Sequence, residues 1–363
     1  MKIACFLQGK TTPSARFRIL QYLQRFADAG IESVCFYPYL QKYGSVPRWL
    51  PGKHLRLVVR RLTQLFLYLP HRWWQIRCAG LHDYDAVILQ KQLADWPEGA
   101  YLEKMITRRN PRVVLDLDDA EFTDPTNREC AKAKESTKHV AAQAMAVVVC
   151  NQYLANAVAP SARAIFKIPT TVDERRFIPR VRPSGEAVTI GWTGSASTVN
   201  YLRLVLPALE AVIERTGASL LIISDQTRID WLAHIPRVKF LKWNAIDEVA
   251  QLHEIDVGIM PLPDDPWTRG KCAFKIIQYM AVGIPTVASP VGMNCDVIQD
   301  GLTGYFARTN EEWIESLENL VRSATLRNEM GGAARQYFDD HLSGSRIAAD
   351  WVNLLNNLAG SRK

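Results

Sequence analysis

The sequence predicts an α/β protein built from two Rossmann-like domains facing each other across a cleft, and three observations carry that expectation. The chain has 363 residues, enough for two domains at roughly 150 residues each. Short apolar runs alternate along it with longer amphipathic ones, as strands alternate with helices in α/β folds. The alternation pauses over residues 167–185, where Pro169, Pro179 and Pro183 mark a linker.

Before that linker, strands are expected at 2–7, 31–36, 85–89, 112–117 and 145–150. The clearest helix spans 14–29, where Phe17, Leu20, Leu23 and Phe26 recur. After it, strands are expected at 187–192, 219–224, 238–241, 256–260 and 286–289, each followed by a helix. Two helical stretches, 311–340 and 346–358, close the chain. The domains are therefore set at 1–180 and 181–341, with a terminal helix in 342–363 packing back on the first. Ligands of such folds bind outside the carboxyl ends of the strands, so chemistry is sought in the residues that follow each strand.

Composition removes several classes. With 48% hydrophobic and 22% charged residues the chain is neither disordered nor low-complexity. Its seven cysteines are scattered without a CxxC pair, which argues against a disulfide framework or zinc site and for a reducing cytosol. The first residues hold too few apolar side chains for a signal-peptide core. The two longest charge-free stretches are interrupted by Gln and Asn or by Gly and Pro, so neither reads as a membrane span.

The net charge of +7 is local. From Ser33 to His82 there is no acid, but there are Lys42, Arg48, Lys53, Arg56, Arg60, Arg61, Arg72 and Arg77. Leu55, Leu57, Val58, Val59, Leu62, Leu65 and Phe66 mix with these bases, and the run ends at Trp73 and Trp74, aromatics suited to a headgroup boundary. That pattern predicts peripheral attachment to an anionic membrane surface through Arg56, Arg60, Arg61, Trp73 and Trp74. A buried helix with a solvated basic face is the plain alternative. A nucleic-acid-binding role, suggested by the same bases with Tyr43 and Trp49, lacks any recognition motif.

Four motifs invite chemistry. Gly9, Lys10 and Thr11 resemble the end of a phosphate-binding loop, but Ala4 stands where its first glycine belongs. Asp116, Asp118, Asp119, Glu121 and Asp124 follow one strand; alternation puts Asp116 and Asp118 on one side and Asp119 on the other. They read either as a capped, solvated loop or as a base, electrostatic stabiliser or metal ligand. Gly194, Ser195, Ser197 and Thr198 follow a strand and open a helix, an arrangement whose amides suit a phosphate. In the richest segment, 261–292, Lys271 and Lys275 are four apart near a helix start. Cations there oppose the helix dipole unless an anion such as a diphosphate is bound.

The segment Ile276 to Gly292, IIQYMAVGIPTVASPVG, followed by Asp300, Gly301, Thr303 and Gly304, resembles the nucleotide-binding half of GT-B glycosyltransferases of retaining family 4. Pro13, Ser14, Arg16 and Arg18, the Ile190 to Ser195 turn, and Trp267 to Ala281 resemble a bacterial surface-polysaccharide branch of that family. The resemblance implies a GT-B fold and a retaining, hexosyltransferase-type enzyme. Its donor is a nucleotide-sugar; its acceptor is lipid-linked or a saccharide, met at the cytoplasmic membrane face by Gly9, Arg16 and Arg18. The family's two-glutamate motif falls on Gly270 and Gln278, leaving Gln278 for the ribose, and its cleft histidine falls on Asp118. Lys275 and Asp118 are then the catalytic candidates. Lys271, Gly194, Ser195, Ser197, Thr198 and, by position, Trp243 complete the donor site. No cofactor, resident metal or nucleic-acid partner is expected. The nearer rival is a GT-B sugar-nucleotide epimerase or hydrolase.

Overall fold

The computed structural model describes residues 1–39, 52–93, 100–123, 128–179, 187–226 and 228–360. Lys42, Tyr43, Arg48, Trp49, Asp124 and Pro183, named above, lie outside the described residues. The chain divides into two compact units, Met1–Thr170 with Ile347–Lys363, and Thr171–Arg346. The division falls inside the stretch expected to be the linker but ahead of the expected boundary at 180/181, because residues 171–179 pack on the second unit. There Phe177 is buried, Arg335 donates to its carbonyl at 2.7 Å, and the ring Nε2 of His253 lies 2.8 Å from the carbonyl of Ile178.

The first unit holds a parallel sheet of β1 (Lys2–Phe6), β2 (Glu32–Phe36), β3 (Ala86–Gln90), β4 (Val113–Leu117), β5 (Ala146–Val149) and β6 (Ile165–Lys167). Their order is β2-β1-β3-β4-β5-β6. The central strands AVILQ and VVLDL are buried at every position, as sheets covered on both faces require. β6 was not expected; it is a three-residue edge strand paired with β5 where the linker was predicted to begin. Ile3, Cys5 and Leu7 pack with Tyr22, Phe26 and, from the last helix (Gly344–Gly360), Trp351, Leu354 and Leu355.

The helix predicted over 14–29 is broken into Pro13–Arg18, a 3-10 turn Leu20–Tyr22 and Leu23–Asp28. Ile19, at φ −133° and ψ −52°, makes the break. The three-residue step from Phe17 to Leu20 and Leu23 is the 3-10 period, not the 3.6 of an α-helix.

A further helical segment runs through Lys53–Thr63, a π-turn Gln64–Tyr68 and Leu69–Cys78. Its second half is anchored. Arg72 is fully buried and donates to the carbonyls of Leu7 and Phe36, and Tyr68 donates to that of Leu93. Arg72 is thereby withdrawn from the basic face. The first half projects, with Leu62 49% and Phe66 66% exposed. Among the described residues no helix is long and apolar enough to cross a membrane.

The second unit repeats the plan with β7 (Thr189–Thr193), β8 (Ser219–Ser224), β9 (Val238–Lys242), β10 (Val257–Met260), β11 (Thr286–Ala288) and β12 (Gly304–Phe306). All pairs are parallel, in the order β12-β11-β10-β7-β8-β9. β12 was not expected. The predicted 311–340 helix is two, Asn310–Arg322 and Ala324–Tyr337, because Ser323 caps the second by accepting the Leu326 N–H at 3.1 Å.

Candidate functional site

In each sheet the strand order reverses at one place, between β7 and β10 in the second unit and between β1 and β3 in the first. The carboxyl ends flanking such a reversal form the crevice where doubly wound folds bind ligands. In the second unit those ends lead into the Gly194 turn and into the 261–275 loop.

The geometry there is set by Tyr279. Its ring lies where a side chain at position 258 would be: a Cβ on Gly258 would sit 2.4 Å from a ring carbon. The close approach lets the Tyr279 hydroxyl accept the Thr193 N–H at 3.2 Å and face the Gly191 carbonyl at 3.4 Å. These contacts pin the Phe274–Ala281 helix over the end of β7. Lys275, one turn earlier on the same helix face, therefore arrives at the Gly194 turn. A Cβ on Gly194 would meet the Lys275 Cε at 2.9 Å and the Trp192 ring at 2.6 Å. The Lys275 ammonium lies 5.4 Å from the centroid of that ring. The helix start carries no acidic residue and no side-chain cap, so Lys275 and the positive helix end act in the same sense on an anion.

Two expectations about this region are corrected. Lys271 does not share a helix with Lys275. A separate helix, Pro266–Arg269, is opened by an Asp265–Thr268 capping box and ends at Gly270, and the next begins only after Ala273, whose φ of +49° breaks the path. Lys271 lies in the gap, with its ammonium 4.8 Å from the Trp267 ring centroid. The turn after β7 does not open an α-helix either. It leads into a six-residue 3-10 segment, Val199–Leu204. Within it Ser195 and Ser197 share a hydrogen bond of 2.8 Å, Thr198 Oγ1 bonds the Ser195 carbonyl, and the Ala196 N–H goes to Asp225 at 2.7 Å.

Gln278 is buried and donates to Glu248 at 3.2 Å; Glu248 is itself buried, 3.5 Å from an Arg176 nitrogen. Gly270 is buried at the loop between the two helices. Trp243 follows β9, half-buried, with its N–H on the Ser224 carbonyl.

In the first unit, Gly9 is buried just past β1. Gln8 donates to the carbonyl of Gln90 and to that of Gln92. Arg18, expected on the acceptor side, is instead buried. Its Nε donates to both carboxylate oxygens of Asp116 at 3.1 and 3.2 Å, and Nη1 to the Ile168 carbonyl at 2.6 Å. Burial alone would lower its pKa, but Asp116 and Asp118 together raise it. Arg18 therefore clasps β4 to the end of β6. Arg16 is half-buried, its guanidinium 4.7 Å from the Phe17 ring centroid.

Asp118 lies one residue past β4, nearly buried, with Oδ1 2.9 Å from the ammonium of Lys91. Lys91 also bonds Glu121 at 3.1 Å. Burial pushes the Asp118 pKa up, but Lys91 outweighs it and holds the carboxyl below its ordinary value. Lys91 in turn is raised well above its usual value by the two carboxylates, against burial. Asp118 is thus a held charge and not a proton donor near neutral pH. Lys91 has φ +55° directly after β3, a conformation costly for a non-glycine residue. Its part was missed in the sequence, where the strand end QKQ carries no motif. Asp119 accepts the Ala120 N–H and caps the turn. Among the described residues no group of three or more His, Cys, Asp or Glu is placed to hold a metal ion.

Two parallel six-stranded sheets with flanking helices, each with a ligand crevice at its strand-order reversal, define the GT-B architecture. Residues 187–323 match the family model of the Glycosyl transferases group 1. In fold the chain is similar to sucrose-phosphate synthase from Thermosynechococcus elongatus, with TM-score 0.70, 14% identity and 99% of each chain covered. It is also similar to Anabaena Alr3699/HepE in complex with UDP-glucose, with TM-score 0.68, 16% identity and coverage of 98% of this chain and 100% of that one. A glycosyltransferase from Rickettsia africae ESF-5 gives TM-score 0.70, 12% identity and 98% coverage of each chain. No curated protein sequence matches the chain.

Proposed function

We propose that the protein is a retaining, hexosyltransferase-type family 4 glycosyltransferase that moves a sugar from a nucleoside-diphosphate donor to a lipid-linked or saccharide acceptor in bacterial surface-polysaccharide synthesis. The observation that carries the donor assignment is the meeting of Lys275 with the Gly194 turn at the β7/β10 reversal. The match of residues 187–323 to the glycosyl transferase model supports it from an independent side. Because the Anabaena structure holds UDP-glucose, uridine diphosphate is the first nucleotide to test.

Departure of a nucleoside diphosphate builds negative charge on the leaving oxygen. Lys275 and the start of its helix are preorganised to stabilise that charge, with Lys271, Ser195, Ser197 and Thr198 as further donor contacts. Gln278, held by Glu248, is assigned to the ribose and Trp243 to the base. No resident metal or other cofactor is required in this scheme. In the first unit the ionised Asp118 opposes positive charge developing on the sugar, and Gly9 and Arg16 remain on the acceptor side.

We further place the protein peripherally on the cytoplasmic membrane face. Leu55, Val58, Val59, Leu62, Leu65 and Phe66 follow helical spacing along one side of the projecting segment, while Arg56, Arg60 and Arg61 are exposed beside them. Trp73 and Trp74 are also exposed. An apolar face flanked by bases suits an anionic lipid surface.

Calorimetric titration with a panel of nucleoside diphosphates and their sugars, followed by product analysis with donor alone and with membrane extract, tests the assignment. Transfer that needs an extract component supports it; epimerised or free sugar from donor alone replaces it with the epimerase or hydrolase alternative.

A further inference from the structure

The first sheet brings two cysteines together. Cys5 on β1 and Cys35 on β2 are direct register partners in parallel strands. Both contribute to the same core cluster, Cys5 buried and Cys35 at its partly exposed margin. Neighbouring strands run about 4.8 Å apart, inside the roughly 4.4–6.8 Å range of Cα separations that a disulfide spans. Tyr37 packs against the same cluster, beside the pair. β2 is the edge strand, so it can move toward β1 without breaking a ladder on its other side.

We propose that Cys5 and Cys35 form a peroxide-responsive thiol pair that closes reversibly to a disulfide across β1 and β2. Cys35 is the attacking thiol because it reaches solvent; Cys5, sealed in the core, is the resolving one. Interaction with the Cys5 thiol and with Tyr37 lowers the Cys35 pKa against the effect of its partial burial, while interaction with Cys35 and burial raise that of Cys5. The thiolate of Cys35 attacks one oxygen of hydrogen peroxide. The O–O bond breaks, hydroxide leaves and takes a proton as water, and Cys35 becomes a sulfenic acid. The Cys5 sulfur then attacks the Cys35 sulfur, the S–O bond breaks, and a second water departs with the Cys5 proton. Two thiols lose two electrons in all and one peroxide gains them.

A disulfide that reaches the partly exposed margin of the sheet at Cys35 is more readily reduced than a sealed one, which suits a reversible switch more than a structural staple. It would form one residue from Phe36, whose carbonyl receives the Leu7 N–H at 3.0 Å and Arg72 at 3.2 Å. The cross-link therefore sits beside the anchor of the projecting helix.

The test is treatment of the full-length protein with a few equivalents of hydrogen peroxide, alkylation of remaining thiols, and non-reducing peptide mass spectrometry. The expected product is a Cys5–Cys35 linked peptide, two hydrogens lighter than its parts, that accounts for most of both cysteines and disappears with dithiothreitol. Cys5→Ala should leave a sulfenic acid at Cys35 that dimedone traps, and Tyr37→Phe should slow linkage at pH 7. Over-oxidation of Cys35 with the Cys5 thiol intact would overturn the proposal. So would oxidation of the exposed Cys78 and Cys295 with the pair untouched.

Discussion

Replacing Lys91 by methionine removes one ammonium and keeps most of the side-chain volume. What remains is Asp118, whose side chain is 10% exposed, without the cation 2.9 Å away, and Glu121 without its partner at 3.1 Å. At an effective dielectric of about 20, a charge pair at that distance interacts by roughly 5–6 kcal/mol, part of which offsets desolvation. Losing one member of a buried pair costs about 3–5 kcal/mol, and that loss is expected here. The pH dependence separates an electrostatic cause from a packing one. In the wild type the Asp118 pKa is depressed, so its contribution is present above the unfolded value of about 3.9 and fades as pH falls through the folded value. Lys91 is raised, so its contribution is complete below about 10.4 and is lost only as pH rises through the folded value.

In the Lys91→Met variant, burial instead raises Asp118. The deficit against wild type should then be largest at pH 8 and shrink toward pH 4, as the raised carboxyl of the folded variant takes up its proton. Urea unfolding at pH 5 and pH 8, fitted with one transition for each unit, measures this. Lys91→Met with Asp118→Asn should recover part of the loss. A single variant as stable as wild type at pH 8, or a deficit that ignores pH and the second substitution, refutes the reasoning.

Asp118→Asn should bind nucleotide nearly as wild type does while turnover falls by at least ~100-fold, the lower range for a positioned acid-base or charged group; a chelator should leave wild-type turnover unchanged, and a strict metal requirement would return the aspartates to a ligand set. Gly194→Ala, which drives a methyl into Trp192 and the Lys275 stem, should cost about 1–3 kcal/mol of stability and weaken uridine diphosphate binding, as denaturation and calorimetry would show; unaltered binding in the folded variant contradicts the placement of that turn. Changing Arg56, Arg60 and Arg61 together to Ser should abolish co-sedimentation with anionic vesicles, since each base near such a surface contributes about 1 kcal/mol. Wild-type binding should also fail on neutral vesicles and in high salt; a wild type that binds none of them contradicts membrane attachment.

Strands were legible where the pattern was local. Runs such as AVILQ and SLLIIS are apolar, β-branched and bounded by polar residues, and they lie within a residue or two of their expected places. IFK and GYF were missed because a three-residue edge strand has neither length nor alternation to display. Helix continuity misled twice: Ile19 interrupts a stretch whose three-residue spacing already belonged to a 3-10 turn, and Ala273 separates two lysines whose spacing alone suggested one face. The charged core was not legible. Arg18 finds Asp116 across 98 positions, and Lys91 finds Asp118 only because parallel pairing puts the ends of β3 and β4 side by side. Lys275 and Gly194 were each selected from local chemistry, but their meeting depends on the packing of Tyr279 against Gly258 and the end of β7.

The central claim is that Lys275 holds the diphosphate of the donor, and the most direct measurement is calorimetric binding of uridine diphosphate to wild type and to Lys275→Ala, both shown to be folded. Loss of a charge-assisted hydrogen bond of about 1.5–3 kcal/mol predicts binding roughly 10- to 150-fold weaker, with transfer abolished. An unchanged dissociation constant in the variant would contradict the account.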